Sequence, residues 1–224
     1  MWIIVYKTSI KVDTKFSKFE NLCLFMENIM KTSIKFKGDK LTRTRVCNNI
    51  ERMFIKAPIT THNNDWYKNE HLFAVKQAER FGVDVMKVSA VIAALSPQTS
   101  WDYNKRIAIQ FLKTGSCGQT TDNLTKAKLV MCVNTVEDVD RILNGKKQKA
   151  FFHNLYLPIQ SQRVTIDRHA ISIALGRTAK DNELQITHNQ YDWFADCYRR
   201  LADKLGIRPS LLQSITWEHW RVIK

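Results

Sequence analysis

An all-α fold is what the sequence predicts, on three observations. From Asp65 onward, apolar residues recur at helical spacing in nine stretches. Only 7 glycines and 4 prolines punctuate 224 residues. The hydrophobic content of 44% is enough, at this length, to bury a core, either as one domain or as two lobes sharing one fold.

The elements follow in order. Residues 2–12 are β-branched enough for a strand, and Phe16, Phe19, Leu22, Cys23 and Met26 space a helix over residues 16–30. Gly38 and Asp39 mark a break, and residues 58–64 read as a polar connector. Asp65 is a good N-cap for a helix over residues 66–81. Helices are then expected over residues 85–95, 103–112, 124–132, 136–143, 149–157, 168–175, 190–205 and 215–222. The stretch 85–95 is apolar on almost every side, which marks a central helix packed all round. No internal repeat is evident, which argues against a solenoid. The expected organisation is a basic N-terminal extension over residues 1–65 that packs with the C-terminal lobe, a helical lobe over 66–155 and a C-terminal helical lobe over 156–224.

Charge narrows the partner. The chain has 35 Lys and Arg against 21 Asp and Glu, a net +14. Half of that excess falls in residues 1–60, where 12 basic side chains face 5 acidic ones. Such a balance favours a polyanion, through phosphate neutralisation and counterion release. Charge alone does not choose between DNA, RNA and an anionic membrane. No apolar run approaches the roughly 20 residues that span a bilayer, so a soluble, intracellular and monomeric protein is expected, without a membrane partner. The 5 cysteines are scattered and odd in number, and no C-x-x-C spacing is present. Neither a disulfide framework, a zinc site nor a clustered iron-sulfur site is suggested.

Chemistry concentrates around residues 139–169. A short helix is followed by Asn144-Gly145-Lys146-Lys147-Gln148-Lys149 and then a second apolar helix. A helix, a glycine-containing turn and a helix leave unpaired amides and a positive dipole end at the second N-terminus, where phosphate binds. An ordinary helix connection with solvated lysines is the plainer reading of these residues taken alone. Farther on, Arg163-Val164-Thr165-Ile166-Asp167-Arg168-His169 puts a carboxylate at the start of another helix.

Here the chain resembles the helix-hairpin-helix DNA glycosylase superfamily typified by endonuclease III. Members carry a hairpin of the form leucine, x, glycine, x, glycine, x, lysine, followed by an extended piece ending in aspartate, x, histidine. This chain reads Leu143-Asn144-Gly145-Lys146-Lys147-Gln148-Lys149, with Asp167 standing 18 residues after Lys149. Leu95-Ser96-Pro97-Gln98 matches the family's leucine, serine, x, glutamine, whose glutamine enters DNA where the damaged nucleotide leaves. The matches cover about residues 66–176, and the body is also similar to phage-encoded members. Two departures stand out: Lys147 replaces the second hairpin glycine, and no iron-sulfur loop follows.

The resemblance implies a two-lobed helical fold with a DNA cleft between the lobes, and excision of a modified or mismatched base from double-stranded DNA with neither metal nor cofactor. The target nucleotide must leave the stack, because its glycosidic bond is inaccessible inside a duplex. Gln98 and Trp101 are candidates to fill the gap, although a loop cap and a core aromatic are their plainer roles. Asp167 would stabilise the developing oxocarbenium charge while also capping its helix. Lys149, or Lys147 one turn adjusted, would attack the anomeric carbon and form a Schiff base, giving AP lyase activity. Asn144, Gly145, Lys146 and Gln148 would hold phosphate at the hairpin, with Arg163, Arg168 and His169 beside the aspartate. Two alternatives stay open: a DNA-binding module without chemistry, and a structure-specific nuclease, for which no acidic cluster of ligand spacing is visible.

Overall fold

A computed structural model describes residues 32–224. The strand and helix expected over residues 2–12 and 16–30 lie outside the described residues. The described chain opens with a β-hairpin, β1 (Ser33–Phe36) paired antiparallel with β2 (Asp39–Thr42) in the register Ser33↔Thr42 to Phe36↔Asp39. The two turn residues, Lys37 and Gly38, have φ of 49° and 99°. Two positive φ values in a two-residue loop match the twist of the flanking strands, and glycine takes the second at no steric cost. The break expected at Gly38 and Asp39 is thus a hairpin turn.

Twelve helices follow among the described residues: α1 (Arg43–Lys56), α2 (Ile59–His62), α3 (Trp66–Phe81), α4 (Val85–Leu95), α5 (Trp101–Thr114), α6 (Thr121–Met131), α7 (Val136–Leu143), α8 (Lys146–Tyr156), α9 (Arg168–Leu175), α10 (Asp181–Leu184), α11 (His188–Lys204) and α12 (Pro209–Val222). The protein is therefore predominantly helical. Side-chain caps start many of these helices, because Thr42, Asp65, Asp84, Ser100, Thr135, Asp167 and Thr187 each accept a backbone N–H of the following turn. Left-handed glycines Gly82, Gly115 and Gly176 end α3, α5 and α9.

Two hydrophobic cores result. One runs from Tyr67 to Leu155 and is centred on α4, whose residues from Val88 to Leu95 are all buried; helices α3, α5, α6, α7 and α8 pack around it. The other joins Phe36, Leu41, Val46, Ile50 and Met53 to residues 164–220, including the fully buried Trp193, Phe194 and Tyr198. The basic stretch before residue 60 is accordingly not a loose arm where it is described: one face of α1 is core. No described helix is long and apolar enough to cross a membrane.

Candidate functional site

Five chain segments converge on one cleft. The turn between α7 and α8 is only Asn144 and Gly145, with Asn144 at φ 43° and Gly145 N donating to Leu143 O at 2.5 Å. Gly145 caps α8 with no side-chain hydrogen bond, and the first amide of that helix to bond back within it is Lys149 N, to Gly145 O at 3.0 Å. Lys147 therefore sits on a first turn whose amides have no helical acceptor. The extended segment 162–167 returns alongside, and Asp167 caps α9 by accepting Ala170 N at 2.8 Å through Oδ1. Tyr191 of α11 ties the two together. Its hydroxyl donates to Val164 O at 2.9 Å, lies 3.3 Å from Lys146 O and accepts Ile166 N at 3.2 Å.

Lys147 and Asp167 line the same cleft, which encloses about 500 Å³ of empty space together with Trp66, Ser96, Thr99, Trp101, Asn104, Phe151, Thr165 and Trp217. An adjoining recess of about 300 Å³ shares Trp66, Phe151, Thr165, Asp167 and Trp217 and adds Tyr67, Gln213 and Ser214. The aromatic walls are mutually braced: Trp66 stands 5.0 Å from Trp101, 5.2 Å from Trp217 and 6.3 Å from Phe151, centroid to centroid. All four rings are half-buried, so each keeps some surface open. Behind them, the Tyr67 hydroxyl donates to Gln213 Oε1 at 2.8 Å and lies 3.0 Å from the Thr165 hydroxyl, which accepts Asn154 Nδ2 at 3.3 Å.

The charges of the cleft are sparse and placed apart from competing partners. Asp167 uses Oδ1 on its helix, and its other oxygen has no hydrogen-bond partner among the described residues. Lys147 makes no side-chain hydrogen bond or ion pair with any described residue, and it is exposed. Four lining residues stand at helix starts: Trp66 and Trp101 are the first residues of α3 and α5, Lys147 the second of α8 and Asp167 the cap of α9. Positive dipole ends thus gather at a cleft with one lining carboxylate, an arrangement that favours an anionic ligand. His169 packs its ring 6.3 Å from Trp217, and burial pulls it below the usual imidazole range, with Asp167 opposing. Burial also raises the Glu70 carboxyl, against Trp101 and Lys105, and Lys105 Nζ lies 5.3 Å over the Trp101 ring.

Several residues singled out from the sequence stand elsewhere. Lys149 does not line the cleft; two residues beyond Lys147, it has turned about 200° round the helix, and its charge is felt at His153 instead. Gln148 is buried and donates Nε2 to Ala94 O at 3.2 Å, so its amide serves the end of α4 and is not open to phosphate. Lys146 is engaged with Asp192, and Arg163 pairs with Asp140 at 3.2 Å instead of flanking Asp167. Arg168 is exposed. Gln98 is exposed at φ 60° in the turn whose neighbours Ser96 and Thr99 line the cleft, and Trp101 is a wall of it. Sequence reasoning did not single out Trp66, Asn104, Phe151, Thr165 or Trp217. The available signal was positional, since Trp66 follows a cap and Thr165 precedes Asp167 by two. Among the described residues no three of His, Cys, Asp and Glu gather as a metal site.

A family model described as a family of unknown function, DUF7178, matches residues 32–223. No curated protein and no solved structure matches the chain.

Proposed function

Because the chain belongs to the DUF7178 family of unknown function, its activity has to be read from the cleft, and we propose that it is a DNA N-glycosylase acting on an extruded nucleotide, with a lysine able to add AP lyase chemistry. The single observation that carries this reading is that Lys147 and Asp167 open into one aromatic-walled cleft beside the short turn between α7 and α8. The exposed Asn144 and the uncapped first turn of α8 hold the DNA backbone, assisted by net positive charge. An extruded base enters among Trp66, Trp101, Phe151 and Trp217, where stacking replaces the contacts it left in the duplex. Gln98, on the exposed turn at the cleft, reaches into the vacated position.

Asp167 then stabilises positive charge at the sugar as the bond to the base breaks and the electron pair departs with the base. Where the Lys147 amine takes the place of water, its lone pair forms the new bond at the anomeric carbon. The C1′–O4′ bond then breaks, O4′ taking up a proton shed by the amine, and gives a Schiff base; loss of a C2′ proton to water forms the C2′–C3′ double bond as the C3′–O bond breaks and the 3′ phosphate leaves with its electron pair. Lys147 is the nucleophile in this scheme because Lys149 lies on another face of α8.

Borohydride trapping on duplex DNA containing an abasic site tests the scheme. A covalent adduct is expected with the intact chain and with Lys149→Ala, and no adduct with Lys147→Ala. A trap that survives Lys147→Ala refutes the assignment of the amine. Absence of base release from every modified or mismatched duplex, with DNA affinity intact, would reduce the protein to a binding module.

A further inference from the structure

One buried side chain in the wall of the cleft bears on which base the cleft takes. Asn104, on the first turn of α5, is 1% exposed and lines the cleft. Its Nδ2 donates to Ile92 O at 3.2 Å and more weakly to Thr99 Oγ1 at 3.4 Å. The first bond fixes which way the amide faces. Ile92 stands near the end of α4, where Ser96 N, its helical partner four residues on, turns instead to Ala93 O at 3.4 Å. A buried carbonyl left without that amide needs another donor, so the nitrogen of Asn104 faces it and the oxygen faces away. That Oδ1 is buried with no hydrogen-bond partner among the described residues, an arrangement that is unfavourable until a donor arrives.

Neighbouring hydroxyls do not supply the donor. Ser96 Oγ donates to Ala93 O at 2.9 Å, and Thr99 Oγ1 donates to Ser96 O at 2.8 Å. With those single protons committed, they present only lone pairs to a ligand. The indole N–H of Trp101 leans toward Glu70, which is not among the lining residues, and is buried with no hydrogen-bond partner among the described residues. Beside Asn104 the Ser96 and Thr99 hydroxyls thus add acceptors and no free donor.

Resting on the reading of the cleft as a base pocket, we propose that Asn104 Oδ1 accepts a hydrogen bond from the exocyclic amino group of the flipped base, so that the cleft takes amino-bearing bases of the cytosine and adenine kind. Their oxo counterparts, uracil and hypoxanthine, have the same outline but set a carbonyl oxygen against acceptors. A pocket built around one hydrogen bond rejects the analogue that cannot make it far more strongly than one built on shape.

Ligand-observed NMR titrations of the full chain with cytosine, uracil, adenine and hypoxanthine test this. Each amino base should bind at least tenfold more tightly than its oxo partner. In Asn104→Leu, which keeps the volume and removes the acceptor, that ratio should fall below twofold, with a circular dichroism melt confirming that the variant is folded. Should the variant not fold, the ratio in the unaltered chain still decides. A ratio near one, a reversed ratio, or no binding of any of the four bases overturns the proposal. Base release from oligonucleotides, measured in parallel, keeps the two readings distinct. Amino-selective binding without release upholds the pocket and removes the enzyme, whereas release indifferent to amino or oxo groups overturns the role of Asn104 and keeps the enzyme.

Discussion

Asp167 is asked to do two things, and two substitutions separate them. Its Oδ1 caps α9 by accepting Ala170 N at 2.8 Å. Asparagine caps equally well, so Asp167→Asn forfeits only the attraction between a carboxylate and a helix N-terminus, about 0.3–1 kcal/mol. Asp167→Ala forfeits the cap itself, about 1 kcal/mol and up to ~2. For a chain of this size each kcal/mol moves Tm by roughly 2–4 °C. The asparagine variant should therefore melt within about 3 °C of the parent, and the alanine variant somewhat lower. Activity should order differently. Removing a charge that stabilises the transition state costs on the order of 10²–10³ in rate, and both variants lose it. Thermal melts by circular dichroism and single-turnover base release on a duplex substrate provide the two readouts. If Asp167→Asn melts like the parent and also releases base at the parental rate, the carboxylate is only a cap and the catalytic argument is wrong.

Three further outcomes follow from the geometry. Tyr191→Phe removes the hydroxyl that joins Val164 O and Ile166 N to Lys146 O, so it should cost about 1–2 kcal/mol in denaturant unfolding and slow base release, whereas Asp203→Asn on the same helix should do neither. Gly176→Ala should lower stability by roughly 1–3 kcal/mol, because φ is +73° and the new Cβ would lie 2.9 Å from Asn49 Oδ1, on a side chain already held by its 2.9 Å bond to Ala174 O; a melt unchanged by the substitution would contradict this. Glu183 is held down to about 2, chiefly by Arg177, which bonds both of its oxygens at 2.7 Å. Its folded pKa lies below the ordinary carboxylate value, so the stabilisation is fully present above about pH 5 and is lost as pH falls toward 2. The Tm difference between the parent and Glu183→Gln should be constant at neutral pH and shrink through that window.

Much of the fold was legible because apolar spacing and caps act locally. The stretches 66–81, 85–95, 136–143 and 168–175 were expected with the bounds observed, and Asp65 caps as its type suggested. Other helices were expected short at their starts, α5, α8 and α12 among them; in α8 the first turn carries the polar Lys146, Lys147 and Gln148. Helix α1 and the hairpin before it were not read. Seven of the 14 residues of α1 are charged or asparagine, and its apolar residues are informative only once α9, α11 and α12 lie against them. At the site, the turn and the aspartate were legible because each is a local signal. The lysine was not, since spacing along a motif fixes sequence distance and not the face of the helix. Gln148 and Arg163 show the same limit, their partners Ala94 and Asp140 being 54 and 23 residues away.

The electrostatics of the cleft explain why a lone carboxylate matters there. With α3, α5, α8 and α9 all beginning at its walls, the cleft presents partial positive charge from four helix starts and a full charge from Lys147. Such a field draws in phosphate. It is hostile, however, to a sugar that becomes cationic as its base leaves. A cleft of this kind without Asp167 would bind DNA and resist the reaction. The carboxylate at the start of α9 sets a negative group at that one point. That pairing of a positive surround with a single negative group ties the basic character of the chain to the proposed chemistry, and it predicts that charge removal at Asp167 tightens DNA binding while it slows base release.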